Sequence, residues 1–220
     1  HRDLHYPLRR QRQMCIRDRY ISDLISWGAI GARTAESQVH RELTSGLSCP
    51  MGIKNSTNGD LQVAVDAMKS AKYQHVFLGT TKQGKVAIFK TSGNDDTHII
   101  LRGGEKPNYD ASDIEQCIST LAEEKTNMNL MVDFSHGNSQ KNHENQKIVC
   151  KSIAEQIEKG NKHITGVMIE SHLKEGNQKM SENLEYGKSI TDSCICWEET
   201  KQLIKELADS SNKISFPVFV

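Results

Sequence analysis

The stretch at residues 130–138, LMVDFSHGN, decides how the rest of this 220-residue chain is interpreted. It opens with three apolar residues and ends with polar ones, among them Asp133, Ser135 and His136. A short apolar run followed by a polar cluster is typical of a buried parallel strand, because such strands are covered on both faces. The stretch therefore predicts a strand that presents functional groups at its carboxyl end.

The same arrangement recurs along the chain. Residues 166–171, GVMIES, repeat it with Glu170 at the end of the apolar run. Three further runs of apolar or small residues end in a cation: AIGA in Arg33, GI in Lys54 and HIIL in Arg102. In parallel α/β proteins, ligands bind beyond the carboxyl ends of the strands. We therefore predict one site that is built from five strand ends.

Strand-like and helix-like segments alternate from Tyr20 onward, which favours βαβ units and a parallel sheet in an α/β fold. We predict about five main strands, beginning near residues 27, 51, 76, 130 and 164. The third is predicted to run from Val76 to His98 with a hairpin inserted at 86–89. Helices are predicted at residues 20–26, 34–43, 61–68, 110–121, 143–160 and 198–209.

Composition excludes several classes of function. The 28 basic and 28 acidic residues cancel, and no basic stripe with aromatic residues indicates nucleic-acid binding. No apolar run approaches the roughly 20 residues that span a bilayer, so no membrane partner is expected. The six cysteines are scattered, which favours reduced thiols in a cytoplasmic protein over a disulfide framework.

The chain divides into three predicted segments. Residues 1–19 are crowded with arginine and show no helix or strand period, and we interpret them as an artefact. A basic nucleic-acid arm or a targeting peptide is the alternative for this segment. Residues 20–212 form the predicted domain, and residues 213–220 are an apolar tail without an assigned place.

The candidate site residues fall into two groups. Arg33, Lys54 and Arg102 are cations that would together bind an anion, because guanidinium forks suit phosphate or carboxylate. We therefore predict a phosphorylated substrate. Taken singly, each cation is better explained as a surface residue or an ion-pair partner.

The second group is His136, Glu170 and Asp192, whose imidazole and carboxylates suit a divalent metal such as Mn²⁺, Fe²⁺ or Zn²⁺. His98 and His172 are reserve ligand candidates. The structural alternatives are a hydrogen-bonded loop histidine, a carboxylate that pairs with a cation, and a helix cap. Spacing alone does not choose between these alternatives.

Long windows of the chain resemble one enzyme family in the right order. The windows are GAIGARTAESQVHRELTSGLSCPMGIKNSTNGD, TSGNDDTHIILRGGEKPNYD, MVDFSHGNSQK, GVMIESHLKEGNQ and YGKSITDSCICWEET. They resemble class I 3-deoxy-D-arabino-heptulosonate-7-phosphate (DAHP) synthases, which open the shikimate pathway to chorismate and the aromatic amino acids. The resemblance covers Tyr20 to about Asp209 and corresponds to the C-terminal portion of the family's chain.

The resemblance implies a (β/α)₈ TIM barrel and a transferase reaction. The family condenses phosphoenolpyruvate with erythrose 4-phosphate in an aldol-type step that releases phosphate. By resemblance, Arg33, Lys54 and Arg102 bind phosphoenolpyruvate, and His136, Glu170 and Asp192 bind a divalent metal (Mn, Fe, Co or Zn). Lys54, His136 and Asp192 are the residues expected to take part in catalysis.

The resemblance also implies regulation and assembly. Leu47, Ser48 and Phe77 match positions that line the family's pocket for an aromatic amino acid effector. Their alternative roles are a polar loop residue and apolar core residues. Which aromatic amino acid is sensed does not follow from the sequence. The full-length protein is expected to be a homo-oligomer.

One departure from the family is large. The part of the family's chain that precedes the position of Tyr20 has no counterpart here. It holds about three barrel strands, a cysteine metal ligand and a Lys-Pro-Arg-Thr-type loop for the tetrose phosphate. We therefore predict an incomplete barrel with about five of eight strands, from a truncated gene model that is inactive or unstable. Two alternatives remain: an inactive metal- or phosphate-binding fragment, and a metal-dependent phosphate-ester hydrolase.

Overall fold

The structure is a computed structural model that describes residues 24–81 and 83–213. The basic segment 1–19 lies outside the described residues. So do most of the helix predicted at 20–26 and all of the tail 213–220 except Lys213.

Strands and helices alternate over most of the described chain, which confirms the predicted α/β class. The strands are β1 (Gly28–Ile30), β2 (Met51–Lys54), β3 (Val76–Thr80), β4 (Val86–Lys90), β5 (Thr97–Leu101), β6 (Leu130–Asp133), β7 (Ile164–Met168), β8 (Ser171–His172) and β9 (Ile195–Cys196). The helices are α1 (Gln38–Ser45), α2 (Gln62–Lys72), α3 (Ala111–Glu123), α4 (Gln146–Glu158) and α5 (Trp197–Asn212).

Five strands form one parallel sheet in the order β1-β2-β5-β6-β7. Each strand therefore lies beside the next sheet strand in the chain, and the intervening helices connect them as crossovers. The core includes Ile53, Ile99 and Val132 from the sheet, with Met68 and Ile153 from the helices, and all five are buried. No helix within the described ranges has the length and apolar character needed to cross a membrane.

The predicted third strand, running from Val76 to His98, is wrong. β3 and β4 pair only with each other, as an antiparallel hairpin that forms a separate sheet. β5 alone joins the main sheet, and all five of its residues are buried, whereas β3 and β4 alternate between exposed and half-buried residues. A central parallel strand is covered on both faces, and of these three strands only β5 is buried along its whole length.

The helix boundaries differ from the predicted ones at their starts. Asp110 and Asp113 form a capping box at α3, so the helix predicted at 110–121 begins at Ala111 with Asp110 as its cap. α1 begins after Ser37 instead of at Thr34, because the Thr34 hydroxyl donates to the Gly31 carbonyl at 3.0 Å within a turn. The three residues before α4 form a 3₁₀ turn.

One short strand pairing was not among the predicted strands. β8 and β9 are parallel, with Ser171 opposite Ile195. The Ile195 N–H also donates to the Glu170 carbonyl at 3.1 Å. The segment after Glu170 therefore leaves the sheet and returns beside it, which brings Asp192 back toward Glu170.

Candidate metal and anion site

The carboxyl ends of the parallel strands border a cleft of about 490 Å³. Its walls are Arg33, Arg102, Ser135, His136, Ser139, Lys141, Glu170, Asn177, Asp192 and Ser193. Five of the six predicted site residues are in this set. Lys54 does not line the cleft; its Nζ contacts Asp133.

His136, Glu170 and Asp192 converge in the cleft. Each offers one ligand atom, and these atoms all lie within 4.8 Å of one another. His136 Nε2 is 3.5 Å from Glu170 Oε1. One imidazole and two carboxylates form a mixed nitrogen and oxygen donor set, which fits a divalent transition metal or zinc. The three residues therefore fit a metal, with Asp192 as the exposed member.

Glu170 is held rigidly by its neighbours. The fully buried Gln146 accepts from the Glu170 N–H at 3.0 Å and donates to the Glu170 carbonyl at 3.0 Å. The Ser135 hydroxyl donates to the Glu170 carboxylate. These contacts fix both the backbone and the side chain of Glu170, so the carboxylate is preorganised for a ligand.

Asp192 reaches the site through backbone pairing. Gly176 and Cys194 exchange two N–H to carbonyl hydrogen bonds, of 2.8 and 3.2 Å. Together with the β8–β9 pairing, these bonds close the loop that carries Asp192. The spacing of 22 residues between Glu170 and Asp192 is thus bridged by backbone hydrogen bonds.

The two arginines face the same cleft as the carboxylates. Burial lowers the pKa of Arg102, and the charge of Arg33 lowers it further, while the charges of Asp133, Glu170 and Asp192 raise it. A guanidinium is still protonated at neutral pH after such a shift. Two permanent cations therefore face the metal group and suit an anion lying between them.

Lys54 makes its contact with a residue that was not among the predicted site residues. Its Nζ lies 2.7 Å from Asp133 Oδ2, and the Asp133 side chain is fully buried. Burial raises the pKa of Asp133, but the contacts with His136 and Lys54 outweigh burial and hold the pKa below its ordinary value. Asp133 is therefore a buried carboxylate that is charged at neutral pH.

Asp133 also approaches the metal group. Its Oδ2 is 3.0 Å from His136 Nδ1, close enough for an ion pair, but off the direction of an aligned hydrogen bond. The buried Nδ1 has no hydrogen-bond partner among the described residues. Asp133 thus touches both a residue of the cation group and a residue of the metal group.

Buried amides tie the strand ends together. Asn55 after β2 accepts from the Arg102 N–H at 2.8 Å and donates to the Gly103 carbonyl at 3.0 Å. Asn138 after β6 donates to the carbonyls of Leu101 and Asp133. This network was not predicted from the sequence; the available signal was an amide residue shortly after two of the apolar runs, those of β2 and β6.

Comparison with known proteins identifies the family. Residues 15–205 match the profile described as the DAHP synthetase I family. The chain belongs to this family. The predicted resemblance to class I DAHP synthases is confirmed.

Several relatives in the family are closely similar. The Trp-sensitive phospho-2-dehydro-3-deoxyheptonate aldolase of Escherichia coli K12 is 53% identical over 193 residues, which are 87% of this chain and 56% of that protein. The Phe-sensitive aldolase of the same strain is 54% identical over 197 residues, covering 89% of this chain and 56% of that protein. The chain thus spans about half the length of the curated relatives it matches.

A solved structure agrees with the fold described above. The phospho-2-dehydro-3-deoxyheptonate aldolase from Francisella tularensis SCHU S4 superposes with a TM-score of 0.85 at 52% sequence identity. The match covers 89% of this chain and 58% of that chain. At this identity and score, the parallel sheet and its strand order are those of a DAHP synthase family member.

The loop after β6 in this family member is conformationally unusual. His136, Gln140 and Lys141 have φ angles of 56°, 54° and 61°, in the left-handed region that non-glycine residues avoid. Such backbone costs on the order of 1–3 kcal/mol per residue and is retained where the surroundings impose it. The strained loop carries His136 and contributes Ser139 and Lys141 to the cleft.

The reserve histidines do not join the metal group. His98 is the second residue of β5, so it lies toward the amino end of the sheet, where it accepts from Trp27 Nε1 at 3.2 Å. Burial lowers the pKa of His98. His172 is exposed and its Nδ1 accepts from the Leu173 N–H. Both roles are structural ones.

The predicted effector residues lie on two neighbouring features. Leu47 and Ser48 follow α1, half-buried and exposed respectively. Phe77 belongs to the β3–β4 hairpin and stacks on Phe89 with ring centroids 5.9 Å apart. The Ser45 hydroxyl donates to Thr91 Oγ1 at 2.8 Å, which joins the end of α1 to the base of the hairpin.

Proposed function

We propose that this chain carries the substrate and metal site of a 3-deoxy-7-phosphoheptulonate synthase. The reaction would join phosphoenolpyruvate to erythrose 4-phosphate and release phosphate. The observation that carries the proposal is the cleft in which Arg33 and Arg102 face His136, Glu170 and Asp192. Membership of the family supplies the identity of the reaction.

The cations would hold the enolpyruvate. Arg33 and Arg102 suit its phosphate and carboxylate, since both groups accept paired guanidinium hydrogen bonds. Lys54 has three N–H donors, and the single bond to Asp133 leaves two for the substrate. Bound in this way, C3 of the enolpyruvate could be aimed at the aldehyde carbon of the tetrose phosphate.

The metal group, His136, Glu170 and Asp192, would act on the bonds that form and break. A carbon–carbon bond forms between C3 and the aldehyde carbon, the oxygen of a water adds at C2, and phosphate leaves from C2. When bound by His136, Glu170 and Asp192, a divalent metal (Mn, Fe, Co or Zn) would polarise the aldehyde oxygen. Asp192, as the exposed carboxylate, suits the removal of a proton from the attacking water.

Wider features of the family are also proposed for the whole protein. Residues 20–212 would be an arc of a (β/α)₈ barrel, because in-order parallel strands with converging carboxyl ends are typical of that fold. An aromatic amino acid effector at Leu47, Ser48 and Phe77 is supported by the contact between the end of α1 and the hairpin.

Assembly and location are inferred in the same way. The hairpin exposes Val76, Leu78, Val86 and Ile88, each at least 65% accessible, which supports a homo-oligomer because apolar patches of this kind mark interaction surfaces. The five described cysteines are free, which supports a cytoplasmic location.

The test is a binding and product analysis of the chain with Mn²⁺. Calorimetric titration with phosphoenolpyruvate is expected to show binding that weakens in Arg102→Ala. Phosphate release is then measured with each substrate alone and with both together. A synthase needs both substrates, whereas a phosphate-ester hydrolase releases phosphate from one. Absence of phosphoenolpyruvate binding by the folded chain would contradict the proposal.

A further inference from the structure

We propose that Asp133 is a positioning residue that couples the cation group to the metal group. It would keep the proton of His136 on Nδ1 and hold Lys54 Nζ at the edge of the cleft. The proposal rests on the proposed function for the meaning of the two groups. Its test reads the state of His136 and the binding of Mn²⁺, so it can succeed or fail independently of synthase activity.

The Asp133 carboxylate lies between Lys54 and His136. Asp133 is the last residue of β6, and its side chain is fully buried. Oδ2 lies 2.7 Å from Lys54 Nζ and 3.0 Å from His136 Nδ1, while Oδ1 accepts the Ser135 N–H at 3.0 Å. The carboxylate therefore has neighbours on both oxygens and does not itself line the cleft.

The two ring nitrogens of His136 face different carboxylates. Nδ1 is buried, and among the described residues Asp133 is the acidic group beside it. Nε2 faces the other way, 3.5 Å from Glu170 Oε1 in the metal group. A carboxylate beside one ring nitrogen favours the proton on that nitrogen and leaves the lone pair of the other for a metal. Asp133 thereby selects Nε2 as the ligand atom.

The largely buried ammonium of Lys54 is paired with the Asp133 carboxylate. Its side chain is only 13% exposed, and Asp133 is the acidic partner that its ammonium contacts. A buried cation without a partner is strongly disfavoured, so removal of the carboxylate would displace Nζ or draw water to it. One carboxylate therefore fixes the place of a predicted substrate-binding cation and the proton of a predicted metal ligand.

The backbone is built for this contact. His136 has a φ of 56°, a conformation that turns the chain sharply after β6. Asn138 closes the turn by donating to the Asp133 carbonyl at 2.8 Å. The turn returns the imidazole toward Asp133, three residues earlier in the chain, instead of letting it point into solvent.

The main experiment measures the tautomer of His136 in the 220-residue chain without metal. Two-bond ¹⁵N correlation spectra of the imidazole are recorded for the wild type, Asp133→Asn and Asp133→Ala. We expect the Nδ1–H form in the wild type and the Nε2–H form, which the neutral histidine side chain prefers in water, in Asp133→Ala. Mn²⁺ affinity is expected to fall by about 10- to 100-fold, as for other residues that orient a metal-bound histidine.

Two further variants make the result decisive. Asp133→Asn keeps the shape of the side chain, so it reports on the charge if Asp133→Ala fails to fold. Asp113→Asn, at the α3 capping box, is a matched loss of one carboxylate remote from the cleft. It is expected to leave both the tautomer and the Mn²⁺ affinity unchanged. A wild-type Nε2–H form, or an unchanged tautomer and Mn²⁺ affinity in folded Asp133→Asn, would overturn the proposal.

The link to Lys54 is tested by a double-mutant cycle on phosphoenolpyruvate affinity. Asp133→Asn is combined with Lys54→Met, and each variant is titrated with phosphoenolpyruvate in the presence of Mn²⁺. We expect Asp133→Asn to change the affinity markedly when Lys54 is present and much less when it is absent. Equal effects in both backgrounds would show that Asp133 does not act through Lys54.

Discussion

Glu170 is a predicted metal ligand whose backbone and side chain are both held by neighbouring residues. Its carboxylate lies beside His136 Nε2 and accepts from the Ser135 hydroxyl, while Gln146 holds the Glu170 backbone. An amide in the same position would keep the shape and lose the charge that attracts a cation. The sequence predicts residues of this site because polar residues follow apolar runs. The structure brings potential ligand atoms of three of them within 4.8 Å of one another.

Replacing this carboxylate is therefore expected to weaken metal binding. Glu170→Gln should lower the Mn²⁺ affinity by at least about 10-fold, which corresponds to roughly 1.4 kcal/mol. Isothermal titration calorimetry of Mn²⁺ into the metal-free chain measures this affinity. Glu175→Gln, an exposed glutamate on the same segment, is the control and should leave the affinity unchanged. Equal affinities for wild type and Glu170→Gln would exclude this carboxylate as a ligand.

Arg102 tests the anion side of the cleft. Arg102→Lys keeps the charge and loses the planar fork that matches phosphate or carboxylate. Phosphoenolpyruvate affinity is expected to fall by about 10-fold in calorimetric titration, because one of two paired hydrogen bonds is lost. Arg41→Lys changes a described arginine that does not line the cleft, and it should have no effect. A lysine variant that binds as tightly as the wild type would mean that charge alone suffices.

The buried thiols give a prediction that depends on pH. Burial raises the pKa of Cys117 to about 12, and burial together with Glu206 raises that of Cys150 to about 12. Both stay as neutral thiols in the folded chain, so neither should react with iodoacetamide at pH 8 until urea unfolds it. Their contribution to stability is complete below pH 9.0, the ordinary value, and is lost as the pH rises toward 12.

Mass spectrometry of the labelled peptides measures this reactivity. Cys196 is half-buried and serves as the internal control that should be labelled first in the native chain. Labelling of Cys117 at the same rate as Cys196 under native conditions would contradict the buried position of α3 against the sheet.

At the level of elements, the loops after β2, β5 and β6 lie unusually close together. A Cβ on Gly103 would lie 2.5 Å from the Asn138 nitrogen, and one on Gly137 would lie 2.6 Å from the Gly104 nitrogen. Only glycine allows these backbones to touch, and the Asn55 amide then bonds across the contact. This packing is what brings the end of β5, with Arg102, beside the end of β6, with His136.

The cost of filling this contact can be separated from the cost of backbone strain. Gly103 and Gly160 have φ angles of 71° and 89°, but a Cβ on Gly160 would meet nothing within 4 Å. Gly160→Ala should cost about 1 kcal/mol from the left-handed backbone alone. Gly103→Ala should cost several times as much in urea unfolding, because backbone atoms cannot move aside. Similar losses in the two variants would mean that the loops are not tightly packed.

At the level of the whole molecule, the main sheet has two open sides. β1 pairs only with β2, and β7 only with β6, in the sheet that the structure describes. Unpaired strand edges are a liability, and closure into a barrel removes them. The chain spans 56% of the length of each of the two E. coli relatives described above. We propose that the rest of a family member would pair with these edges.

Complementation should therefore raise activity. Co-expression of this chain with the part of the Francisella protein that it does not cover is expected to yield a complex with more phosphate release from both substrates than the chain alone. The control is the same pair with Arg102→Ala in this chain, which should form the complex and lose turnover. A chain that is fully active alone would contradict the prediction of an inactive or unstable fragment.

Much of the fold was predictable because strand and helix patterns are local. The apolar run before Asp133 and the apolar end of the fully buried β5 follow from the burial that a parallel sheet requires. The β3–β4 hairpin is predicted as part of a main-sheet strand because β3 and β4 are also apolar runs. Their alternating exposure arises because one face of the hairpin is not covered by other elements, which is a tertiary property.

The sequence by itself determined the α/β class and the family, because strand and helix patterns and the family windows are contiguous in the chain. It also nominated the candidate site residues, from the polar groups that follow apolar runs. Only the tertiary structure decided that Asp133 contacts Lys54, 79 residues away, and that Asp192 returns to Glu170 through the β8–β9 pairing. These contacts join segments that are distant in sequence. Their formation depends on which strands become neighbours in the sheet and on backbone hydrogen bonds. Every non-proline residue can make such bonds, so the side-chain pattern does not reveal them.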